Sequence, residues 1–165
     1  MALAQIRQYP DAVLRLRANE IDRFDENLVR LADRMVELMH EARGVGLAAT
    51  QVGVLQRLFV FQPRDGEDAT AIVNPEIMGR SDETELADEG CLSLQGVHVP
   101  VARNLTVTLE GLDLEGKPLR LDLEDLPARV VQHELDHLDG ILIIERTDAE
   151  SRREALATLR HRPSL

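Results

Sequence analysis

Residues 130–140 read VVQHELDHLDG, and the reading of this stretch decides what the rest of the chain is built around. His133 and His137 stand four apart, with Glu134 directly after the first. A helix repeats every 3.6 residues, so side chains at this spacing share a face about one turn apart. Two imidazoles placed so can converge on one metal ion, with the neighbouring carboxylate beside it. The flanks agree with a helix. Asp125 stands at its expected opening, Pro127 falls in its first turn and Gly140 closes it, which predicts a helix over about 126–139.

Working outward, Leu28, Leu31, Ala32, Met35, Leu38, Met39 and Ala42 recur at helical spacing between the cap residue Asp25 and Gly44, predicting a helix over 26–43. The following GVGLAATQVG (44–53) is too rich in glycine to extend it and too apolar for a linker. It reads as backbone held close to something. RLFVFQ (57–62), TAIVNPEI (70–77), LTVTLEGL (105–112) and KPLRLDLE (117–124) read as strands, with DLEG (113–116) as a hairpin turn. ILIIE (141–145) reads as a short buried strand, and Thr147 with Glu150 as a capping box opening a helix from Asp148 to about Arg160. Helices and strands do not alternate regularly and no repeat or linker divides the chain. The expected fold is therefore α+β, with mostly antiparallel sheets packed around a central helix bearing HExxH, an N-terminal helix and a C-terminal helix, in a single domain over 1–165.

Composition narrows the class. The 165 residues are 44% apolar but only 2% aromatic, so the core is aliphatic and base stacking is disfavoured. Cys91 is the one cysteine, which rules out an intrachain disulfide and fits a reducing cytoplasm. Arg7 and Pro10 interrupt the start before any apolar run suited to a signal peptide, and 18 consecutive apolar residues occur nowhere, so neither export nor a membrane span is expected. A net charge of −11 argues against general attraction to nucleic acid or anionic lipid. The sign is uneven, because Arg152, Arg153, Arg160 and Arg162 against Glu154 give 151–165 a charge of +3. That segment reads as a solvated helix face or as a basic handle for an RNA-rich partner.

A catalytic metal site needs a third protein ligand and an open fourth position. Downstream of His137 stand Glu145, Glu150 and, near the end of the chain, His161. Upstream stands Cys91, in DEGCLSLQ, 42 residues before His133. A lone cysteine is commonly a small buried hydrophobe. Here Gly90 allows an unusual backbone just before it, Asp88 and Glu89 precede, and no other soft ligand exists, which makes Cys91 the more attractive candidate.

The sequence resembles the bacterial peptide deformylases. The resemblance rests on GVGLAATQ (44–51), EGCLS (89–93) and QHELDH (132–137), in the family's order and separation, and extends from IRQYPDAVLR (6–15) through ILIIE (141–145). It implies hydrolysis of the N-formyl group from the starting methionine of new polypeptides, with release of formate. Cys91, His133 and His137 would be the metal ligands and Glu134 the general base, while the Leu92 N–H and the Gln51 side-chain amide would receive the charge developing on the formyl oxygen. Cys91, occupied as a thiolate ligand, would not attack substrate.

The resemblance also implies one divalent ion, iron(II) in the cell, although the ligands equally suit zinc, nickel or cobalt. Val45, Gly46 and Leu92 would admit formyl but exclude acetyl, and Val45, Leu126, Val130 and His133 would line an apolar methionine pocket. Substrate backbone would pair with the edge near Val45–Gly46. Glu89 and Arg103 match an ion pair that supports the cysteine loop, and Asp136 is either a further support or a solvated acid. His40 and His161 read as surface residues. One departure stands out: after CLS, Leu94 is followed by Gln95 where the family has proline, and GVHVP places His98 where an arginine is common. The expected partners are formyl-methionyl nascent peptides and, transiently, the ribosome through the basic C-terminal helix, for a cytoplasmic monomer. Two other readings remain open, a general HExxH metallopeptidase and a non-catalytic, metal-stabilised ribosome-binding module.

Overall fold

The structure, a computed structural model, describes residues 5–161; Arg162 of the basic segment lies outside them. Helix α1 (Glu26–Glu41) begins where the Asp25 carboxylate accepts the Leu28 N–H. It buries the stripe Leu28, Ala32, Met35, Leu38 and Met39. The chain then enters β1 (Gly46–Ala48), β2 (Leu58–Phe61) and β3 (Thr70–Arg80), which with β6 (Thr106–Leu112) and β7 (Pro118–Glu124) form a five-stranded antiparallel sheet in the order β1-β2-β3-β6-β7.

The alternation of side chains along these strands sets the layers. Leu47, Leu58, Val60 and Val73 pack with the α1 stripe in one buried cluster, whereas Ala48, Phe59, Phe61 and Ile72 pack with Ala128, Val131 and Leu138 of helix α2 (Asp125–Leu138) in another. Successive residues face opposite helices, so the sheet lies between α1 and α2. Each fully buried Leu, Ile or Phe contributes about 1.5–3 kcal/mol to holding α2 on this surface. The helix with the histidines is thus wedged against the sheet rather than carried on a loop.

The strands of the second sheet were not foreseen from the sequence. β4 (Thr84–Gly90) and β5 (His98–Asn104) form a two-stranded antiparallel hairpin, pairing Glu89 with Val99 and Gly90 with His98. Val97, Val99 and Val101 pack with Leu142–Ile144 and with Ala155 of helix α3 (Ala149–Arg160).

Three local expectations change. Residues 141–145 are not a strand: Ile143–Glu145 form a 3₁₀ turn, closed as Glu145 accepts the Leu142 N–H at 3.1 Å. Thr147 does not cap α3. Its hydroxyl donates to Pro100 O at 2.7 Å, and Asp148 takes the capping place by accepting from Ser151 N. Finally, β7 runs into α2 without a loop, with Glu124 in the cap position and Asp125, the first residue of α2, turning the chain there at a left-handed φ of 56°.

Candidate metal centre

α2 presents His133 and His137 on one face, and the turn after β4 brings Cys91 to them. His137 Nε2 lies 3.1 Å from His133 Nε2 and 3.3 Å from Cys91 Sγ. All three donor atoms fall within 4.8 Å of one another. A tetrahedral ion bonded to nitrogen near 2.0–2.1 Å and to sulfur near 2.3 Å has donor–donor edges of about 3.3–3.6 Å, and the edges of 3.1 and 3.3 Å that meet at His137 Nε2 come close to that. The donor set fits one borderline-soft divalent ion.

Behind the ligands is a buried charge network. Glu89 on β4 accepts from His133 Nδ1 at 2.9 Å and from both arms of Arg103, at 2.9 and 3.0 Å. A third cation, Arg129, donates to Glu89 at 2.6 Å and also to Val101 O and Glu85 O. Arg103 continues to Asp136 at 2.6 Å, and Arg146 holds Asp136 with two further bonds. With Nδ1 engaged by a carboxylate, His133 has Nε2 free to ligate. Burial alone would raise the Glu89 pKa, but hydrogen bonds from His133 and Arg103 hold it well below the usual carboxylate range. Burial likewise opposes a charge on His133, yet Cys91 and Glu89 raise its pKa. His137 moves the opposite way, lowered by burial and by the positive charges of His133 and Arg103.

Glu134 is 3% exposed, and its Oε2 makes no hydrogen bond among the described residues. Burial pushes its pKa up to about 7; His133 works against this shift and Glu89 adds to it. Its chamber is narrow, for a Cβ placed on Gly46 would stand 2.6 Å from Glu134 Oε1. Gln51 closes the site from the other side. Its Oε1 accepts the Ala48 N–H at 2.9 Å, which aims its NH₂ toward Ser93 Oγ at 3.1 Å and Cys91 Sγ at 3.8 Å. The Leu92 carbonyl is taken by Gln8 and Gln95, while its N–H donates to no described residue.

These groups open onto a concavity of about 390 Å³, where Val45, Gly46, Leu126 and Val130 meet His133 and Glu134. Val45 and Leu126 are 47% and 60% exposed, a large apolar exposure for a protein with so few aromatics. Among the residues singled out in the sequence, Glu145 and Glu150 lie away from the cluster: Glu145 pairs with Arg15 and caps its own turn. Asp136 is a buried member of the network rather than a solvated acid. Arg129, Arg146 and Ser93 were missed. For Arg129 a signal existed, since it stands four residues before His133 on the same helical face.

An HExxH helix held between two sheets, with a thiol as third donor, a buried carboxylate and an apolar cleft, defines a metallohydrolase of α+β class. The comparisons with known proteins narrow this. The family profile of polypeptide deformylase matches residues 3–153. A peptide deformylase of Thermotoga neapolitana is 46% identical over 142 residues, covering 86% of this chain and 85% of the relative. Among solved structures, a peptide deformylase of Arabidopsis thaliana superposes with a TM-score of 0.89 at 42% identity, covering 94% of this chain and 89% of that one. One from Legionella pneumophila gives 0.89 at 38% identity, covering 96% and 98%. The chain belongs to the polypeptide deformylase family.

Proposed function

We infer that the protein hydrolyses the N-formyl group from the starting methionine of newly made polypeptides, releasing formate and a free amine. One observation carries this: three ligand atoms lie within 4.8 Å of one another beside a buried glutamate with an unpartnered oxygen, at the end of an apolar cleft. Residues 1–165 are read as one catalytic domain, because both sheets pack on the same helix α2.

Cys91, His133 and His137 would hold the ion. When bound, a divalent cation supplies Lewis acidity and brings the pKa of a water toward neutrality. Glu134 takes a proton onto its carboxylate and hands it to the departing amine, a role suited to a pKa of about 7. The Leu92 N–H and Gln51 Nε2 donate to the oxygen on which negative charge gathers, and the anchoring of Gln51 Oε1 on Ala48 fixes the direction of that donation. Glu89, backed by Arg103, orients His133. Val45, Leu126 and Val130 take the methionine side chain. Gly46 leaves Glu134 room, and with Leu92 it keeps the reaction chamber too narrow for acetyl. Among the described residues β1 pairs only with β2, so its outer edge by Gly46 is open to an extended substrate.

Iron(II) is the proposed native ion, with zinc, nickel and cobalt as substitutes that the same donors accept. We place the protein in the cytoplasm as a monomer; no helix among the described residues is long and apolar enough to cross a membrane. Arg152, Arg153 and Arg160 are exposed on α3 and form the proposed ribosome contact. The activity is tested by formate release from formyl-Met-Ala with and without a chelator, beside acetylated and unblocked peptides. Formate from the first alone, abolished by chelation, is expected. Equal cleavage of peptide bonds in all three would instead favour a general metallopeptidase.

A further inference from the structure

The Leu92 N–H and the Gln51 amide stand on separate segments of the chain, and one stretch ties both segments down. It consists of three successive residues near the N-terminus, Arg7, Gln8 and Tyr9. The Arg7 N–H donates to Gln51 O at 2.7 Å and the Tyr9 N–H to Ser93 O at 2.9 Å. Between them, Gln8 Nε2 donates to Leu92 O at 2.8 Å and to Ile6 O at 3.2 Å. Ile6 is buried in one cluster with Met35, Leu38 and Leu47, which roots this stretch in the core.

Gln8 acts here through its nitrogen. Both oxygens it faces are carbonyls, which only accept, so the orientation of its amide is fixed by its partners. Leu92 O accepts a second amide, Gln95 Nε2, at 3.2 Å, and both of its lone pairs are then engaged. On either side, Cys91 O accepts the Leu94 N–H at 3.0 Å and Ser93 O the Tyr9 N–H. Three consecutive carbonyls are thus held, while the N–H of the middle residue donates to no described residue. A free donor on a backbone tied in this way is aimed before substrate arrives, the condition under which such a donor stabilises developing charge best.

We propose that Gln8 is a positioning residue for the hydrolysis, which acts through the Leu92 carbonyl to hold the Leu92 N–H toward the oxygen where charge gathers. Gln8 does not line the cleft, so its path to the reaction runs through Leu92 rather than through contact with substrate. The stretch is already anchored by Ile6 and by two backbone bonds; what Gln8 adds is a hold on the one residue of the turn whose N–H stays free.

This rests on the deformylase reading, and the test separates the two. Formyl-Met-Ala is given to wild type, Gln8→Met, Gln8→Asn and Gln8→His, with rates referred to bound metal and measured well below each thermal midpoint. Gln8→Met keeps the length and removes the donor, Gln8→Asn withdraws it by one methylene, and Gln8→His restores an N–H of similar reach. Outright loss of an oxyanion donor costs about 10²–10³-fold in kcat, and Gln95 and Tyr9 still hold the turn, so Gln8→Met is expected to lower kcat by about 5–50-fold with KM within about twofold. Gln8→Asn should fall between Gln8→Met and wild type, and Gln8→His should recover most of the loss. A residue that only ties the fold together would shift the thermal midpoint or the metal content and leave kcat per metal within about twofold. That result in Gln8→Met, or an equal loss in Gln8→His, overturns the proposal. Should Gln8→Met not fold, Gln8→Asn decides, and an unchanged kcat per metal there overturns it equally. A wild-type protein that releases no formate would instead overturn the deformylase reading.

Discussion

A carboxylate with a pKa of about 7 is half charged at neutral pH, and Glu134 reaches that state chiefly because it is buried. Such a group can both accept and return a proton within one turnover. Glu134→Gln keeps the shape and removes the base, so formate release should fall by at least the ~10²–10⁴-fold typical of general base loss while bound metal stays stoichiometric. The same residue has a cost in the metal-free protein. A folded pKa above the unfolded value near 4.5 means that the unfolded chain gives up its proton first. Stability is then intact below about pH 4.5, falls as pH rises to about 7, and is flat beyond. Metal-free Glu134→Gln should accordingly gain on wild type across that window, by an upper bound of about 3 kcal/mol, visible as a difference in thermal midpoints that grows with pH. A constant difference from pH 4 to pH 8 would contradict a raised pKa.

Elements, rather than single residues, hold the ligands in register, and the junction of β4, β5 and α2 is where they meet. Arg129 clamps α2 to both strands of the hairpin and to Glu89 at once. Arg129→Met should weaken metal binding by about 10–100-fold in a competition titration, as loss of support behind a ligand does, while far-ultraviolet dichroism stays native. β1 is equally constrained, since Gly46 faces Glu134 with no space for a methyl group. Gly46→Ala should lose most activity with metal still bound. Much at this scale was legible beforehand. The α1 stripe and the caps at Asp25 and Gly140 mark their helices because periodicity and capping are local signals. The β4–β5 hairpin was not, for TELADEG has no apolar alternation and its inward residue is Glu89, whose burial makes sense only once Arg103, Arg129 and His133 surround it. Cys91 is similar. Forty-two residues before His133, it joins the histidines through a hairpin that propensity did not reveal, so residue chemistry made it only the more attractive third ligand beside Glu145 and Glu150, and the likeness of the three motifs to a family added the rest.

At the scale of the whole molecule, the sheet lies between α1 and α2, and the hairpin of the second sheet lines the cleft with Asp88–Gly90 and His98 opposite Val45 and Gly46 by β1. α3 stands apart from this work: it packs Ala155 against the hairpin and leaves its arginines in solvent. Reversing Arg152, Arg153 and Arg160 to glutamate should leave dipeptide deformylation within about twofold and abolish co-sedimentation with ribosomes. Undiminished co-sedimentation would remove the basic face from any role in docking. The proposed ion would tie the whole together, since Cys91 follows β4 while His133 and His137 stand on α2. X-ray absorption at the metal edge of the active protein examines that directly. One sulfur neighbour at about 2.3 Å together with imidazole nitrogens at about 2.0–2.1 Å, the sulfur vanishing in Cys91→Ser, is the expected result. A metal with no sulfur neighbour in protein that still releases formate would contradict it.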